Sequence, residues 1–298
     1  MKPNPSEPGA HHVPLVLERA GALLSQYDVL FCDVWGVVHN GVTAFEDACA
    51  ALKRFRRESG TVILVSNAPV PKHRVEVMLQ SRNVPEGAWD DIVSSGDIAL
   101  THIEARGFER LYCIGPQDRD QALFKALKGK SEHLDDADAI ICTGMTDDRT
   151  ELPDDYKPIL AKALELQLPF VCANPDLLVD VGGALYYCAG AVADIYAHMG
   201  GDVFWAGKPH LSAYETAHRK AESLRDANVP RAKCLVIGDA IRTDLKGAEN
   251  FGCDALFVAS GIHRHEVMDG HVLSPAKLAA LFPPGTPTAK GAMVELRW

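Results

Sequence analysis

Four short segments place polar or charged side chains directly after apolar runs, where such side chains could do chemistry. The side chains in question are those of Asp33, of Ser66 and Asn67, of Lys208, and of Asp239 and Asp244. Carboxylates can act as nucleophiles or bind a hard cation, a lysine can neutralise an anionic group, and serine and asparagine can hydrogen-bond to it. Ligands of open α/β sheets bind beyond the carboxyl ends of the strands. If each apolar run is a strand, these side chains meet at one edge of a sheet.

The apolar runs are typical of strands buried on both faces, because each is short and rich in Val, Ile or Leu. The predicted strands are 28–33, 61–66, 110–114, 138–142, 169–173, 202–205, 233–238 and 254–259. Helical patterns lie between them, for example at 44–58 and 155–167. This alternation predicts an α/β fold with a parallel sheet.

Each of these features has an ordinary explanation when it stands alone. Aspartate and glycine favour turns, a lysine is usually a solvated charge, and an acidic residue often begins a helix. All four segments occur in this order, and each lies at the end of an apolar run. Coincidence is therefore the weaker explanation.

The bulk properties of the chain limit its partners. Its 298 residues favour two domains, and its net charge of −10 disfavours nucleic acid and anionic membranes as partners. A phosphate site in such a chain must be made positive locally. Eight cysteines without a C-x-x-C pair predict free thiols and a reducing compartment, and no apolar run is long enough for a signal or membrane segment. We therefore expect a cytoplasmic protein.

The order of the four segments resembles the haloacid dehalogenase superfamily over about residues 25–262. The long interval between Ser66 and Lys208 is similar to the cap of subclass IIA, the p-nitrophenyl phosphatase-like branch, and DVWGV at residues 33–37 resembles a variant group within it. The resemblance implies a doubly wound, Rossmann-like parallel sheet core with an inserted α/β cap domain. The expected boundaries are a flexible tail at 1–12, a core at 13–89 plus 190–298, and a cap at 90–189.

The resemblance also implies a catalytic role for each residue. Asp33 is expected to be the nucleophile that takes up the phosphoryl group of a small phosphorylated metabolite. Ser66 and the N–H of Asn67 are expected to bind the phosphoryl oxygens, and Lys208 to neutralise both the carboxylate and the phosphate. Subclass IIA proteins are often oligomeric, so a homo-oligomer is a further expectation.

A magnesium site is implied by the same resemblance. Its expected ligands are the carboxylate of Asp33, the backbone carbonyl of Trp35, Asp239 and Asp244, because oxygen ligands suit Mg²⁺. Within the predicted cap, Asn174 and Asp176 are expected to help form the surface that closes over the substrate, although a proline turn explains this segment equally well.

Trp35 departs from the family pattern, which usually has a second aspartate two residues after the nucleophile. An indole can neither protonate a leaving group nor activate water, and general acid–base catalysis typically contributes about 10²–10⁴-fold. Three explanations remain open: a metal-free dehalogenase, which Asp239 and Asp244 argue against; a weak or inactive phosphate-binding protein; and replacement of the aspartate by His39, otherwise a surface histidine. We expect aryl or acyl phosphates to be the better substrates.

Overall fold

The eight strands predicted from apolar runs all lie in two parallel sheets, and the structure contains further strands that were not predicted. The computed structural model describes residues 13–181 and 184–298, so the predicted tail at 1–12 lies outside the described residues. The strands are β1 (Val29–Cys32), β2 (Thr61–Ser66), β3 (Asp91–Ser94), β4 (Leu111–Ile114), β5 (Lys130–Ser131), β6 (Ala139–Cys142), β7 (Phe170–Cys172), β8 (Leu178–Val181), β9 (Ala184–Tyr187), β10 (Val203–Trp205), β11 (Cys234–Gly238), β12 (Asp254–Val258), β13 (Met268–Asp269), β14 (Val272–Leu273) and β15 (Gly291–Met293).

Helices connect most consecutive strands of the two sheets. They are α1 (Gly21–Leu24), α2 (Glu46–Arg57), α3 (Lys72–Ser81), α4 (Ser95–Arg106), α5 (Gln121–Ala126), α6 (Lys157–Glu165), α7 (Ala189–His198), α8 (Leu211–Arg225), α9 (Lys246–Phe251), α10 (Arg264–Val267) and α11 (Pro275–Leu281). Short 3₁₀ turns lie at Glu86–Ala88, Leu134–Asp136, Pro153–Tyr156 and Arg231–Lys233, and a π-helical turn at Ile241–Leu245 leads into α9. No helix in the described ranges combines the length and apolar character needed to cross a membrane.

The first sheet has the order β15-β12-β11-β1-β2-β3, and all its neighbours are parallel. Its central strand β1 is buried on both faces. Val29 and Phe31 pack into one hydrophobic cluster and Leu30 and Cys32 into the other, because successive side chains of a strand point to opposite faces. The chain runs outward in one direction through β1, β2 and β3 and in the other through β11, β12 and β15. This is the doubly wound arrangement, and its direction changes between β1 and β11.

The second sheet has the order β10-β7-β6-β4-β5 and is also parallel. Strands β8 and β9 form an antiparallel hairpin after β7, and β13 and β14 pair antiparallel near α10. The predicted α/β class with a doubly wound sheet and a second α/β layer is confirmed. The strands predicted from apolar runs agree with the observed ones to within one residue at each end.

The predicted domain boundaries at residues 90 and 189 do not coincide with the sheet boundaries. Asp91–Ser94 pairs with β2 in the first sheet, and Val203–Trp205 pairs with β7 in the second. The strands of the second sheet therefore lie between Leu111 and Trp205. The assignment of these layers to separate domains stays a prediction.

Candidate active site

The candidate site lies where the winding direction of the first sheet changes. Asp33 follows β1 directly, and Asp239 follows the neighbouring strand β11. The backbone N–H of Asp33 donates to the carbonyl of Ile237 at 2.8 Å, which fixes the two strand ends side by side. Asp244 lies on the π-helical turn after β11, and its carboxylate accepts a hydrogen bond from the N–H of Ala240 at 3.2 Å.

Three buried carboxylates meet at this point. One oxygen from each of Asp33, Asp239 and Asp244 lies within 4.8 Å of the other two, so the group could hold a metal ion. Gly36 permits this approach: its φ is +81°, and a Cβ there would lie 2.4 Å from Oδ2 of Asp239. The three aspartates predicted from strand ends are therefore brought together.

Lys208 places a positive charge against two of these carboxylates. Its side chain is 3% exposed, and Nζ donates to Oδ1 of Asp33 and, at 2.7 Å, to Oδ1 of Asp244. Burial would lower the pKa of the Lys208 ammonium, but the Asp244 and Asp33 carboxylates outweigh it and raise that pKa well above its ordinary value. Lys208 is therefore a fixed positive charge beside the candidate nucleophile.

Asn67 ties the segment after β2 to both Lys208 and Asp176. Its Oδ1 accepts from the backbone N–H of Lys208 at 2.8 Å, and its Nδ2 donates to the Lys208 carbonyl at 3.1 Å and to Oδ1 of Asp176 at 3.0 Å. The side chain is thus committed to holding other site residues. The neighbouring Ser66 hydroxyl accepts from the N–H of Ala68 at 3.2 Å and lines the same cavity as Asp33.

The pKa values of Asp33, Asp239 and Asp176 are raised, first of all because the site is buried. Burial and the Asp244 and Asp239 charges raise the pKa of Asp33 well above its ordinary value, although Lys208 acts in the opposite direction. Burial, followed by the charge of Asp244, raises the pKa of Asp239 to about 7. Burial also raises the pKa of Asp176. Ionising these carboxyl groups in the folded protein is therefore unfavourable, and repulsion from neighbouring carboxylates adds to the effect of burial at Asp33 and Asp239.

Trp35 links the turn after β1 to the hairpin β8–β9. Its indole Nε1 donates to the backbone carbonyl of Asp180 in β8 at 2.8 Å. Its ring meets the ring of His39 edge-on, with centroids 5.0 Å apart. The indole at the position of the usual acid–base aspartate therefore contacts the hairpin β8–β9.

His39 is fully buried and does not line the cavity. Its Nδ1 accepts from the N–H of Gly41 at 2.9 Å, and its Nε2 is buried without a hydrogen-bond partner among the described residues. Burial, aided by Arg82, lowers its pKa to about 4, so the ring is neutral at pH 7. The surface histidine considered from the sequence is instead a packing partner of Trp35, and its position gives no support to an acid–base role.

All the predicted site residues line one cavity of about 1140 Å³ between the two sheets. They are Asp33, Trp35, Ser66, Asn67, Asn174, Asp176, Lys208, Asp239 and Asp244. Sequence reasoning missed other lining residues, including Arg119, Thr143 and Arg242. Arg119 and Thr143 follow predicted strands 110–114 and 138–142, so the strand-end rule applied to those strands would have found them.

Comparisons with known proteins give matches to two family models and to several solved structures. The model of the haloacid dehalogenase-like hydrolase family matches residues 30–127, and a HAD-hydrolase-like model matches residues 205–281. The crystal structure of a haloacid dehalogenase-like family hydrolase from Brucella suis is 40% identical, with 94% of this chain and 98% of that chain covered and a TM-score of 0.80.

Two more distant relatives have named activities. The 5′-nucleotidase YutF of Bacillus subtilis is 22% identical over 85% of this chain and 94% of its own. A glycerol phosphate phosphatase from Mycobacterium tuberculosis, solved in complex with magnesium, is 21% identical, with 80% of this chain and 70% of that chain covered and a TM-score of 0.60. With its doubly wound sheet, its matched models and its 40% identical relative, this chain belongs to the haloacid dehalogenase-like family and is a hydrolase.

Proposed function

We propose that this hydrolase is a magnesium-dependent phosphatase acting on a small phosphorylated metabolite through an aspartyl-phosphate at Asp33. The observation that carries the proposal is the contact of one buried lysine with two of three clustered carboxylates, Asp33 and Asp244. The named activities of the two distant relatives, a 5′-nucleotidase and a glycerol phosphate phosphatase, support phosphate monoesters as the substrate class.

The residues present fit a hard divalent cation. Their donors are carboxylate oxygens that lie close together, and burial and mutual repulsion raise the pKa values of Asp33 and Asp239, so a cation is needed to keep them ionised. Asp33, Asp239 and Asp244 would hold Mg²⁺, with the Trp35 carbonyl as the further ligand that the family resemblance implies. When bound, Mg²⁺ would keep Asp33 ionised and offset the repulsion between its carboxylate and the phosphate.

The chain's own residues supply the two steps. In the first, an oxygen of Asp33 forms a bond to phosphorus while the ester P–O bond breaks, and the leaving group departs with the electron pair. Lys208 neutralises Asp33 and the incoming phosphoryl group, while Ser66 and the Asn67 N–H bind its oxygens. In the second, water attacks phosphorus, Asp33 is released and inorganic phosphate leaves.

The proton balance decides which leaving groups react. A leaving alkoxide needs a proton, whereas an aryl or acyl leaving group departs as a stable anion. The Trp35 indole, which donates to the Asp180 carbonyl, offers no acidic proton. We therefore propose that aryl or acyl phosphates react fastest and that hydrolysis of the aspartyl-phosphate limits turnover.

A second candidate function rests on the same tryptophan. A chain without the usual acid–base residue is also suited to bind a phosphorylated ligand and turn it over slowly or not at all. The cavity, the lysine and the carboxylates would then form a binding site, and the hairpin held by Trp35 would retain the ligand.

Release of 4-nitrophenol from 4-nitrophenyl phosphate with and without Mg²⁺ tests the proposal. Asp33→Asn should abolish Mg²⁺-dependent release. Asp28→Asn is the matched control, because Asp28 lies at the opposite end of the same strand, and it should retain activity. If wild type shows no release on a broad phosphate panel but still binds orthovanadate, the second candidate is favoured. If release survives Asp33→Asn, the proposed nucleophile is wrong.

A further inference from the structure

The second sheet has a change of winding direction of its own. Numbered by their order along the chain, its strands run 5-4-3-1-2 across the sheet, and the direction changes between β4 and β6. In open parallel sheets of this order, the crevice beyond the carboxyl ends of the strands at this point is where ligands bind. The site described above occupies the corresponding crevice of the first sheet, between β1 and β11.

The segments that follow β4 and β6 line the same cavity as Asp33. Arg119 and Asp120 come after β4, and Thr143, Asp148 and Arg149 come after β6. One cavity therefore contacts two crevices, one from each sheet. A single molecule of the size that this cavity accepts can contact both.

The crevice holds a buried hydroxyl that is left without a partner. Thr143 is 1% exposed, and its Oγ1 makes no hydrogen bond to any described residue. Across the crevice, Gly115 has a φ of +143°, and a Cβ there would lie 1.9 Å from Oγ1 of Thr143. Gly115 therefore packs closely against this hydroxyl without covering it with a side chain. Buried polar groups are normally hydrogen-bonded, so an unpaired hydroxyl on a residue that lines the cavity is a candidate partner for a ligand.

Arg119 presents donors in a fixed orientation. Its Nε and Nη2 donate to the two oxygens of buried Asp120 at 3.0 and 3.1 Å, and its Nη1 donates to Oδ2 of Asp148 at 2.6 Å. A guanidinium has five N–H groups, so two remain available, and Arg149 adds a second, exposed guanidinium. Asp120 and Asp148 pair with Arg119, and together with Arg149 the four groups balance in charge. Two N–H groups of Arg119 and the guanidinium of Arg149 remain as hydrogen-bond donors. The crevice therefore suits a ligand group that accepts hydrogen bonds from guanidinium, such as an oxyanion.

We propose that the crevice between β4 and β6 binds an oxyanion, a carboxylate or a second phosphate, on the leaving group of the substrate. This inference rests on the proposed phosphatase function and names the substrate class within it. The substrate is a phosphate monoester with anionic groups at both ends: the phosphoryl group lies at Asp33 and Lys208, and the distal oxyanion lies at Arg119 and Thr143.

Matched aryl phosphates test the proposal by charge alone. The series consists of phenyl phosphates that carry a para carboxylate on a tether of zero, one or two carbons. Each acid is compared with its neutral carboxamide. A matching set with a phosphonate in place of the carboxylate tests for a second phosphate. Binding is measured by calorimetry with Mg²⁺ on Asp33→Asn, in which the esters stay intact. At the best tether length the Kd of an anionic ester should be about tenfold lower than that of its amide.

Variants in the Asp33→Asn background assign the preference to the crevice. Arg119→Gln should bring the ratio of amide Kd to acid Kd close to one, and Thr143→Val should lower it. Arg110→Gln is the matched control, because Arg110 pairs with Asp138 at the opposite ends of the same two strands, and it should keep the ratio. If Arg119→Gln does not fold, Thr143→Val carries the test alone.

Two results would overturn the inference: equal affinity for acid and amide at every tether length, or a preference that survives both Arg119→Gln and Thr143→Val. Failure of the proposed function gives a different result. Wild type would then release no 4-nitrophenol, while the charge preference measured on Asp33→Asn would persist and support the crevice as a binding site.

Discussion

The indole Nε1 of Trp35 donates a 2.8 Å hydrogen bond to the backbone carbonyl of Asp180 and so joins the turn after β1 to the hairpin β8–β9. The two residues are 145 positions apart in the chain. The residue two positions after the candidate nucleophile therefore contacts a hairpin that lines the cavity. Trp35 has no acidic proton to give to a leaving group, and its indole instead makes a structural contact.

Replacing Trp35 by aspartate should raise the hydrolysis of alkyl phosphates. A carboxyl group at this position can protonate an alkoxide and then activate water, and such groups contribute about 10²–10⁴-fold. We expect kcat for glycerol 3-phosphate to rise by at least about tenfold, because the loss of the Asp180 hydrogen bond offsets part of the gain. Steady-state phosphate release measures the change.

Trp35→Phe is the control for this substitution. It removes the indole N–H without adding an acid, so we expect no gain on alkyl phosphates. An equal gain in both variants would attribute the effect to release of the hairpin and not to acid catalysis. Unchanged activity in a folded Trp35→Asp variant would contradict the handicap assigned to the indole.

The wild-type reaction with an aryl phosphate should show a burst. The first step needs no proton for a phenolate leaving group, whereas water attack on the aspartyl-phosphate lacks a general base. Rapid-quench measurement of 4-nitrophenol should give about one equivalent per site, followed by slower turnover. A linear time course from the first turnover, with aryl and alkyl phosphates reacting equally fast, would be inconsistent with this view.

The parallel sheets were predictable because buried strands carry continuous apolar runs. The edge strand Asp91–Ser94 was not, because only Ile92 and Val93 in it are apolar and two residues do not form a recognisable run. The hairpin was missed for a different reason. Leu178, Val181, Leu185 and Tyr187 are exposed, so no core burial pattern marks its strands.

The candidate site was predictable as far as strand ends determine it. Asp33 and Asp239 lie side by side because β1 and β11 are neighbours in a parallel sheet. The contacts of Asn67 with Asp176 and of Trp35 with Asp180 were not predictable, because they depend on how closely the second layer approaches the first. Residue spacing carries no information on that approach.

Lys208→Met should lower both activity and stability. The side chain neutralises two buried carboxylates, and removing one partner of a buried ion pair typically costs about 3–5 kcal/mol. Loss of a charge aimed at the phosphoryl group should lower kcat by about 10²-fold or more. Kinetics with 4-nitrophenyl phosphate and urea unfolding measure the two effects.

Lys220→Met is the matched control, because Lys220 pairs with Asp91 away from the cavity and is 35% exposed. It should leave kcat unchanged. A Lys208→Met variant with wild-type kcat would argue against the charge assigned to this lysine.

Asn67→Asp should uncouple the two layers at the site. The new carboxylate can still accept from the Lys208 N–H, but it cannot donate to Asp176 and places a negative charge beside it. We expect a loss of about 1–3 kcal/mol in the free energy of unfolding and a lower kcat/KM. The double variant Asn67→Asp with Asp176→Asn restores one donor and should recover part of both losses. No recovery would show that the Asn67–Asp176 hydrogen bond is not the cause.

The contribution of Asp239 to the stability of the metal-free protein should fall as the pH rises from about 4 to about 7. Burial and the charge of Asp244 raise the pKa of Asp239 to about 7, whereas an aspartate in an unfolded chain has a pKa of about 3.9. In that window the folded protein keeps a proton that the unfolded chain has released. This contribution to the free energy of unfolding therefore decreases with rising pH, and the raised pKa of Asp33 acts in the same direction.

Urea unfolding in EDTA at pH 5 and pH 8 measures this dependence. Buried His39 acts in the opposite direction over part of this range, because its pKa of about 4 lies below that of a histidine in an unfolded chain. The test is therefore a comparison: from pH 5 to pH 8 the free energy of unfolding should change less favourably in wild type than in Asp239→Asn. Mg²⁺ should raise the free energy of unfolding more at pH 8 than at pH 5, because a cation stabilises the ionised carboxylates of the folded state. An equal pH dependence in wild type and Asp239→Asn would contradict the raised pKa assigned to Asp239.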